Sequence, residues 1–481
     1  GFVWDWVDQG LLLTDENGVE YWAYGGDFGE EIHDDNFCIN GMIFPDRTVH
    51  PPMYEYKYLL QPIWVKAVDL NQPYAASLTI FNENFFTDLS GYTGRYEILI
   101  DGVVQDSGDI KIPEIGPQQT KKLTLKLNKP DDMPAGAEAH LTLRFFLKDG
   151  TAWAEAGHEV ATEQFKLPWS APIKPEPVSS KLPPITLKQG DGLAKLVGEN
   201  FEMVFDQTAG ALVEWSTNGQ AILTEGPKLN VWRSPTDNDG FKKAQDFMPP
   251  MMKDLWHWKN AGLDKVIHTA EAMVVEQINA STVKVTLQSI VGSDSQLEAF
   301  IHQHTYTVRG DGSVHMENDV QVNVAMKNLP RIGITMQLNS AFEQFDYFGR
   351  GPFENYRDRN AGSLVALHES TVTDQFVNYI MPQANGNKTD VRKLWLKDGS
   401  GKGLEISTDS GVMEVTASHY TESDIYQAMH TNELNPIENV VLNLDHIHSA
   451  IGGASCGPAT LEEYHVKPGS YKFGFVFRPV K

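Results

Sequence analysis

Cysteine is nearly absent: Cys38 and Cys456 are the two in 481 residues. Two thiols build neither a disulfide framework nor a four-thiolate zinc site. Long apolar runs are missing too, and none approaches the roughly 18 residues that span a bilayer as a helix. Positive charge is scarce, with 39 Lys and Arg against 64 Asp and Glu and a formal charge of −25. Phosphate backbones and anionic membrane surfaces would be repelled, so neither nucleic acid nor a membrane is expected as a partner. No fixed period of 20–50 residues recurs, which argues against a repeat array. There is no initiator methionine and no charged signal region at the start. Instead Gly1–Asp8 reads GFVWDWVD, an apolar strand already under way, and the expectation is a piece of a longer protein.

What is present divides the chain. The length holds about three domains, each able to bury a core. Six of the 26 prolines fall between Pro168 and Pro184. Proline has no N–H to donate and a fixed φ, so the stretch reads as a stiff linker over 169–184. Before it, residues 62–168 alternate apolar with polar, as at Leu123, Leu125 and Leu127 and again at Leu141, Leu143, Phe145 and Leu147. That period of two, with an Asp101-Gly102 hairpin turn, predicts six or seven short strands in an immunoglobulin-like sandwich. Residues 185–481 are also strand-rich: Phe201, Met203 and Phe205 alternate, as do Val283, Val285 and Leu287, and Tyr471, Phe473, Phe475 and Phe477. Asn218-Gly219 and Asp311-Gly312 mark further turns. A large two-sheet sandwich is expected, with one short helix over Met251–Asn260 after Pro249-Pro250. Residues 1–61 differ from both: a strand over Gly1–Val7, a long loop over Asp15–Val49 and a helix over Met53–Leu60. One β-loop-α unit cannot bury its own apolar faces, which points to the last unit of a TIM barrel. The fold class is therefore mainly β.

Chemistry concentrates at the start. WDWVDQG (Trp4–Gly10), YGGDFGE (Tyr24–Glu30) and NFCINGMIFPDR (Asn36–Arg47) combine aromatics, carboxylates and glycines. An aromatic face beside carboxylates suits a sugar ring, which has an apolar CH face and a rim of hydroxyls, although such aromatics commonly serve packing. These runs closely resemble the end of the catalytic barrel in the β-galactosidases of glycoside hydrolase family 2. The resemblance continues in order through AWAEAGH (Ala152–His158), RSPTDND (Arg233–Asp239), LPRIG (Leu329–Gly333), GRGPFENYRDR (Gly349–Arg359) and NGNKTDVR (Asn385–Arg392).

The resemblance implies roles residue by residue. Trp4 matches the tryptophan that forms the floor for galactose. Phe37, through its backbone carbonyl, and Asn40, through its side-chain oxygen, match ligands of a sodium ion beside the sugar's 6-hydroxyl. Asp34 matches a supporting acid. Asp237 and Asn238, with Arg233 and Asp239, match a loop reaching over the barrel mouth, and all four read at least as readily as a self-satisfied structural turn as ligand contacts. In AIGGASCGP, Cys456 stands where better-known members carry a tryptophan that stacks on the aglycone sugar. Ala384 in PQANG replaces a usual glutamate.

A retaining glycosidase uses two carboxylates about 5–5.5 Å apart. In the family both are glutamates on earlier barrel strands, the glutamate and histidine ligands of the active-site magnesium are likewise upstream, and neither catalytic glutamate motif occurs in these 481 residues. No catalytic residue is therefore expected in this chain, and local pairs such as Asp5 with Asp27 or Glu30 with Asp34 are not expected to substitute. The implied partners are a β-galactoside, the N-terminal remainder of the same enzyme, and further copies in a homo-oligomer. The reading from another class is a non-catalytic carbohydrate-binding or assembly module. Lesser features read as structural. His446 and His448 share a strand face without a third metal ligand, Cys38 lacks a histidine-containing motif, and the glycosylation patterns at Asn279 and Asn387 read as chance.

Overall fold

The computed structural model describes residues 3–169, 182–242, 253–323, 325–453 and 458–480. Most of the proline-rich stretch, the start of the helix expected at Met251, and Cys456 lie outside the described residues. The protein is mainly β, with 48% of residues in strands and 9% in helix.

The first sixty residues depart from the sequence reading in two places. Residues 3–7 form no strand, and Val7 makes one isolated parallel bridge to Ile43. A strand exists only where a neighbour accepts its ladder, and here Ile43 is the neighbour available. The stretch 15–49 is less irregular than expected. Its start closes a hairpin between Leu11–Thr14 and Glu20–Ala23, and a 3₁₀ turn spans Asp35–Cys38. The helix runs Pro51–Leu59, starting earlier than Met53 because proline at the first two positions loses no intrahelical bond.

A three-stranded sheet (Ile63–Asp69, Ala75–Asn82, Thr120–Lys126) and a four-stranded sheet (Val103–Ile110, Tyr92–Ile100, Ala139–Leu147, Glu159–Leu167) enclose the first sandwich core. The alternating leucines and Phe145 all point into it. Asp101 and Gly102 both take positive φ, 48° and 80°, as the two-residue turn between adjacent strands requires. Trp169, assigned to the linker from sequence, is buried in this core instead.

The large unit contains three sheets rather than two. Nine strands, from Ile267–Asn279 at one edge to Leu364–Thr371 at the other, form the largest. One five-stranded sheet is built around Arg331–Leu338 and Val440–His448, and another is a meander over Thr186–Ala221. The sequence showed the alternation of each strand but not the partition, because period two says which face is buried and not which sheet is opposite. All three sheets share one apolar core, in which Trp215 of the meander meets Phe477 at 5.8 Å. The short helix is Asp254–Asn260.

The helix Pro51–Leu59 seats the barrel-derived residues on both sandwiches. Glu55 accepts from the amides of Ala361 (3.1 Å) and Gly362 (2.7 Å), and Tyr54 stacks on Phe353 at 4.4 Å. Gln61 accepts from the Thr162 amide at 2.9 Å. Between the sandwiches, the Gly102 carbonyl receives the Leu367 amide (3.1 Å) and Gln164 exchanges two bonds with Val365.

Candidate active-site remnant and its supporting loops

Trp4 is 78% exposed in this chain, and Trp6 (55%) and Leu11 (60%) of the same segment are exposed too. The next peptide anchors Trp4, since the Asp5 amide donates to the Asn40 carbonyl at 2.9 Å. Trp4 and Asn40, far apart in sequence, thus become neighbours. Gly41 lies so close to the chain that an added Cβ would stand 2.1 Å from the Asp8 amide nitrogen. Buried Asp8 accepts from the Gly41 amide (2.7 Å) and meets His50 at 3.0 Å. This clamp fixes residues 36–41 against residues 5–8.

Within the clamped loop, the Asn40 side-chain oxygen is buried and accepts no hydrogen bond among the described residues. Asn36 is buried and its amide donates to Asp237 at 3.0 Å, joining the barrel-derived loop to the RSPTDND loop. Phe37 meets Phe241 ring to ring at 6.4 Å. Asp34 is exposed and precedes the 3₁₀ turn without capping it through its side chain. Asn238 donates to the Ile451 carbonyl (2.7 Å), and Asp358 accepts from the Ile451 and Gly452 amides (3.4 and 2.8 Å). Asn36, Asp237, Asn238 and Asp358 therefore connect the barrel end, the RSPTDND loop and the loop leading to Cys456. Neither Asn36 nor Asp358 was singled out in the sequence. An asparagine one residue before the expected carbonyl ligand was the available signal.

The local acids are engaged elsewhere. Asp5 accepts from Trp6 N–H (2.5 Å) and Gln9 (2.7 Å), and Asp27 from Tyr24 N–H (2.7 Å) while facing His430 at 2.8 Å. Glu30 accepts from the Gly26 and Phe28 amides, which holds its carboxyl below the ordinary range. Burial raises the Cys38 thiol, the opposite of what activates a nucleophile.

The downstream motifs converge on buried polar chemistry. Arg233 is fully buried and bidentate to Asp239 (2.6 and 3.0 Å), with Trp258 under its guanidinium at 5.1 Å. Arg331 of LPRIG pairs with Asp445 and with Glu422 (2.8 Å), and Glu422 also accepts the Ser234 amide. Glu354 takes Arg359, Tyr379 and the Gly386 amide. Arg233 and Asp239 are thus structural, whereas Asp237 and Asn238 reach outward to other loops. His446 lies on Phe473 at 5.2 Å and His448 beside Tyr356 at 5.4 Å. Among the described residues no group of three or more His, Cys, Asp or Glu is set to hold a metal. Asn387 is buried, bonded to Asn355 and Glu414, so its glycosylation pattern is inaccessible. Ala384 is also buried, and nothing in its surroundings explains the replacement.

Three family models match successive parts of the chain. They are a glycosyl hydrolase family 2 TIM-barrel domain over residues 1–65, a β-galactosidase domain 4 over 78–168, and a β-galactosidase small chain over 197–477. A barrel end followed by two β-sandwich units defines the C-terminal architecture of a multidomain glycoside hydrolase. The β-galactosidase of Vibrio vulnificus strain YJ016 is 34% identical over 490 residues, covering 100% of this chain and 45% of that protein. That of Priestia megaterium is 32% identical over 453 residues, covering 94% of this chain and 42% of that protein. The chain belongs to the β-galactosidases of glycoside hydrolase family 2, and it spans less than half the length of these relatives. A solved aldose 1-epimerase homologue from Escherichia coli K12 aligns over 62% of this chain and 99% of its own, at 10% identity and a TM-score of 0.33, too distant to carry an argument.

Proposed function

We propose that this chain is the C-terminal part of an enzyme that hydrolyses terminal β-D-galactosides with retention, and that it shapes the galactose site without supplying either catalytic glutamate. The observation that carries this reading is a buried unpaired oxygen, Asn40 Oδ1, on a loop that one backbone hydrogen bond ties beside Trp4. An exposed indole offers a face to the apolar side of a sugar ring. A buried acceptor lacking a donor is costly unless something else satisfies it. A hard cation with oxygen ligands fits that vacancy in bonding, and the Phe37 carbonyl and Asn40 Oδ1 would hold sodium there. Bound sodium would orient the sugar's 6-hydroxyl.

In this reading the chain's own residues bind and orient. Trp4 supports the ring, and Asp8, His50 and Gly41 lock the loop that presents Asn40. Asp237, Asn238 and Asp358 fix the loops on the aglycone side. The catalytic glutamates and magnesium ligands would come from the N-terminal remainder. The test is the complete enzyme carrying Asn40→Ala. Removing one ligand oxygen should raise the sodium concentration for half-maximal activity about tenfold or more, with recovery at high sodium. An unchanged sodium dependence would remove Asn40 from the site.

A further inference from the structure

A second cluster of chemistry lies on the large unit, apart from Trp4 and its loops. The nine-stranded sheet turns one face to the core, where Val285, Leu287 and Tyr306 are fully enclosed. Following that face along the strands, histidines replace aliphatics. His302 lies opposite Ser289, and Ser289 lies opposite Ala270. His304 is two residues beyond His302, and His268 is two before Ala270, so period two puts all three rings on one face. The strand Leu223–Asn230 crosses above them with two register shifts, at Leu223/Glu225 and Glu225/Lys228. Such bulges re-aim a strand and are common beside binding sites. Together with the turn at Gly210 they leave a cleft of about 440 Å³ lined by the three imidazoles and Ser289.

The chemistry of the cleft is neutral. His302 Nε2 pairs with Asn318 Oδ1 at 3.0 Å and His304 Nδ1 with the Tyr306 hydroxyl at 3.2 Å, fixing both rings 4.6 Å apart. Burial lowers the His268 and His302 rings to about 4 and His304 further, so all three are uncharged at neutral pH. An uncharged imidazole offers one donor and one acceptor. His304 is 2% exposed, and its Nε2 is buried with no hydrogen-bond partner among the described residues. At the mouth, Glu225 and Lys228 pair with each other, and Glu225 also accepts from Gln337 at 2.8 Å. Their charges cancel, which favours neither an anion nor a cation.

We propose that this cleft is a second binding site, for a neutral hydroxyl-rich ligand of monosaccharide size, held by the His268, His302 and His304 rings and Ser289. The proposal stands independently of the galactosidase reading, since it involves none of the Trp4 loops. The test uses the whole chain with D-galactose as probe, following the histidine ring-nitrogen NMR signals and titration heat. The expected result is saturable binding below about 100 mM that moves the His302 and His304 signals. His268 is only partly buried, so His268→Gln should fold and should weaken the galactose response of the His302 and His304 signals about tenfold. Static His302 and His304 signals at saturating sugar would overturn the proposal. So would a response that survives undiminished in His268→Gln, or occupancy of the rings by Zn²⁺ with no response to sugar.

Discussion

Substituting Asp239 by alanine is the sharpest test of what the RSPTDND motif does in this chain. Asp239 Oδ2 accepts from Arg233 Nη1 (2.6 Å), the Thr236 amide (2.7 Å) and the Thr236 hydroxyl (3.0 Å), and Oδ1 accepts from Arg233 Nη2 (3.0 Å). Arg233 has no exposed surface, so the variant leaves a guanidinium buried with carbonyl partners alone. Removing one partner of a buried ion pair costs about 3–5 kcal/mol. The stranded Thr236 amide adds about 1 kcal/mol. The sum, about 4–6 kcal/mol, is a large share of the stability of one domain. Urea unfolding of variant and parent, followed by circular dichroism, reads this loss. Asp239→Asn keeps an acceptor for Thr236 and should lose less. A loss under about 1 kcal/mol for Asp239→Ala would refute the structural role and return the motif to ligand binding.

Two further outcomes follow from buried or crowded positions. Glu414 accepts from Asn387 at 2.9 Å, and burial pushes its carboxyl up to about 8 from an ordinary 4.5. The folded state therefore holds a proton that the unfolded chain releases, and stability falls as pH rises across that window, by up to about 1.4 kcal/mol per pH unit. Urea midpoints of Glu414→Gln should lose this slope, and parallel curves for variant and parent would contradict it. At Gly102, φ is +80° and an added Cβ would stand 2.3 Å from the Leu367 amide nitrogen. Gly102→Ala should lower thermal stability by about 1–3 kcal/mol, and an unchanged melting temperature would mean the two sandwiches do not meet at this turn.

The sequence was most legible where chemistry is local. Alternating Leu141, Leu143 and Phe145 announced a buried face, and Asp101-Gly102 announced its turn, because both depend on neighbours one or two residues away. The three-sheet partition was not legible, since Trp215 and Phe477 meet through packing that no spacing encodes. Of the strand expected at Gly1–Val7, the described residues 3–7 form only the bridge from Val7 to Ile43, because pairing is a property of two segments. In the candidate site, motif resemblance singled out Trp4 and Asn40 as expectations, whereas the Asn36–Asp237 bond joins residues 201 positions apart and no motif points to it. The histidine cleft escaped notice for a related reason. His302 and His304 satisfy strand periodicity, and only the third strand and the bulged crossing segment turn them into a cleft.

As proposed, this chain completes a galactoside site whose reacting carboxylates lie outside it. The direct measurement is hydrolysis of a chromogenic β-galactoside by the purified chain alone and by the chain combined with its N-terminal remainder. No turnover above background is expected for the chain alone, and sodium-dependent turnover is expected for the combination. Hydrolysis by the isolated chain at a rate comparable to the combination would contradict the proposal.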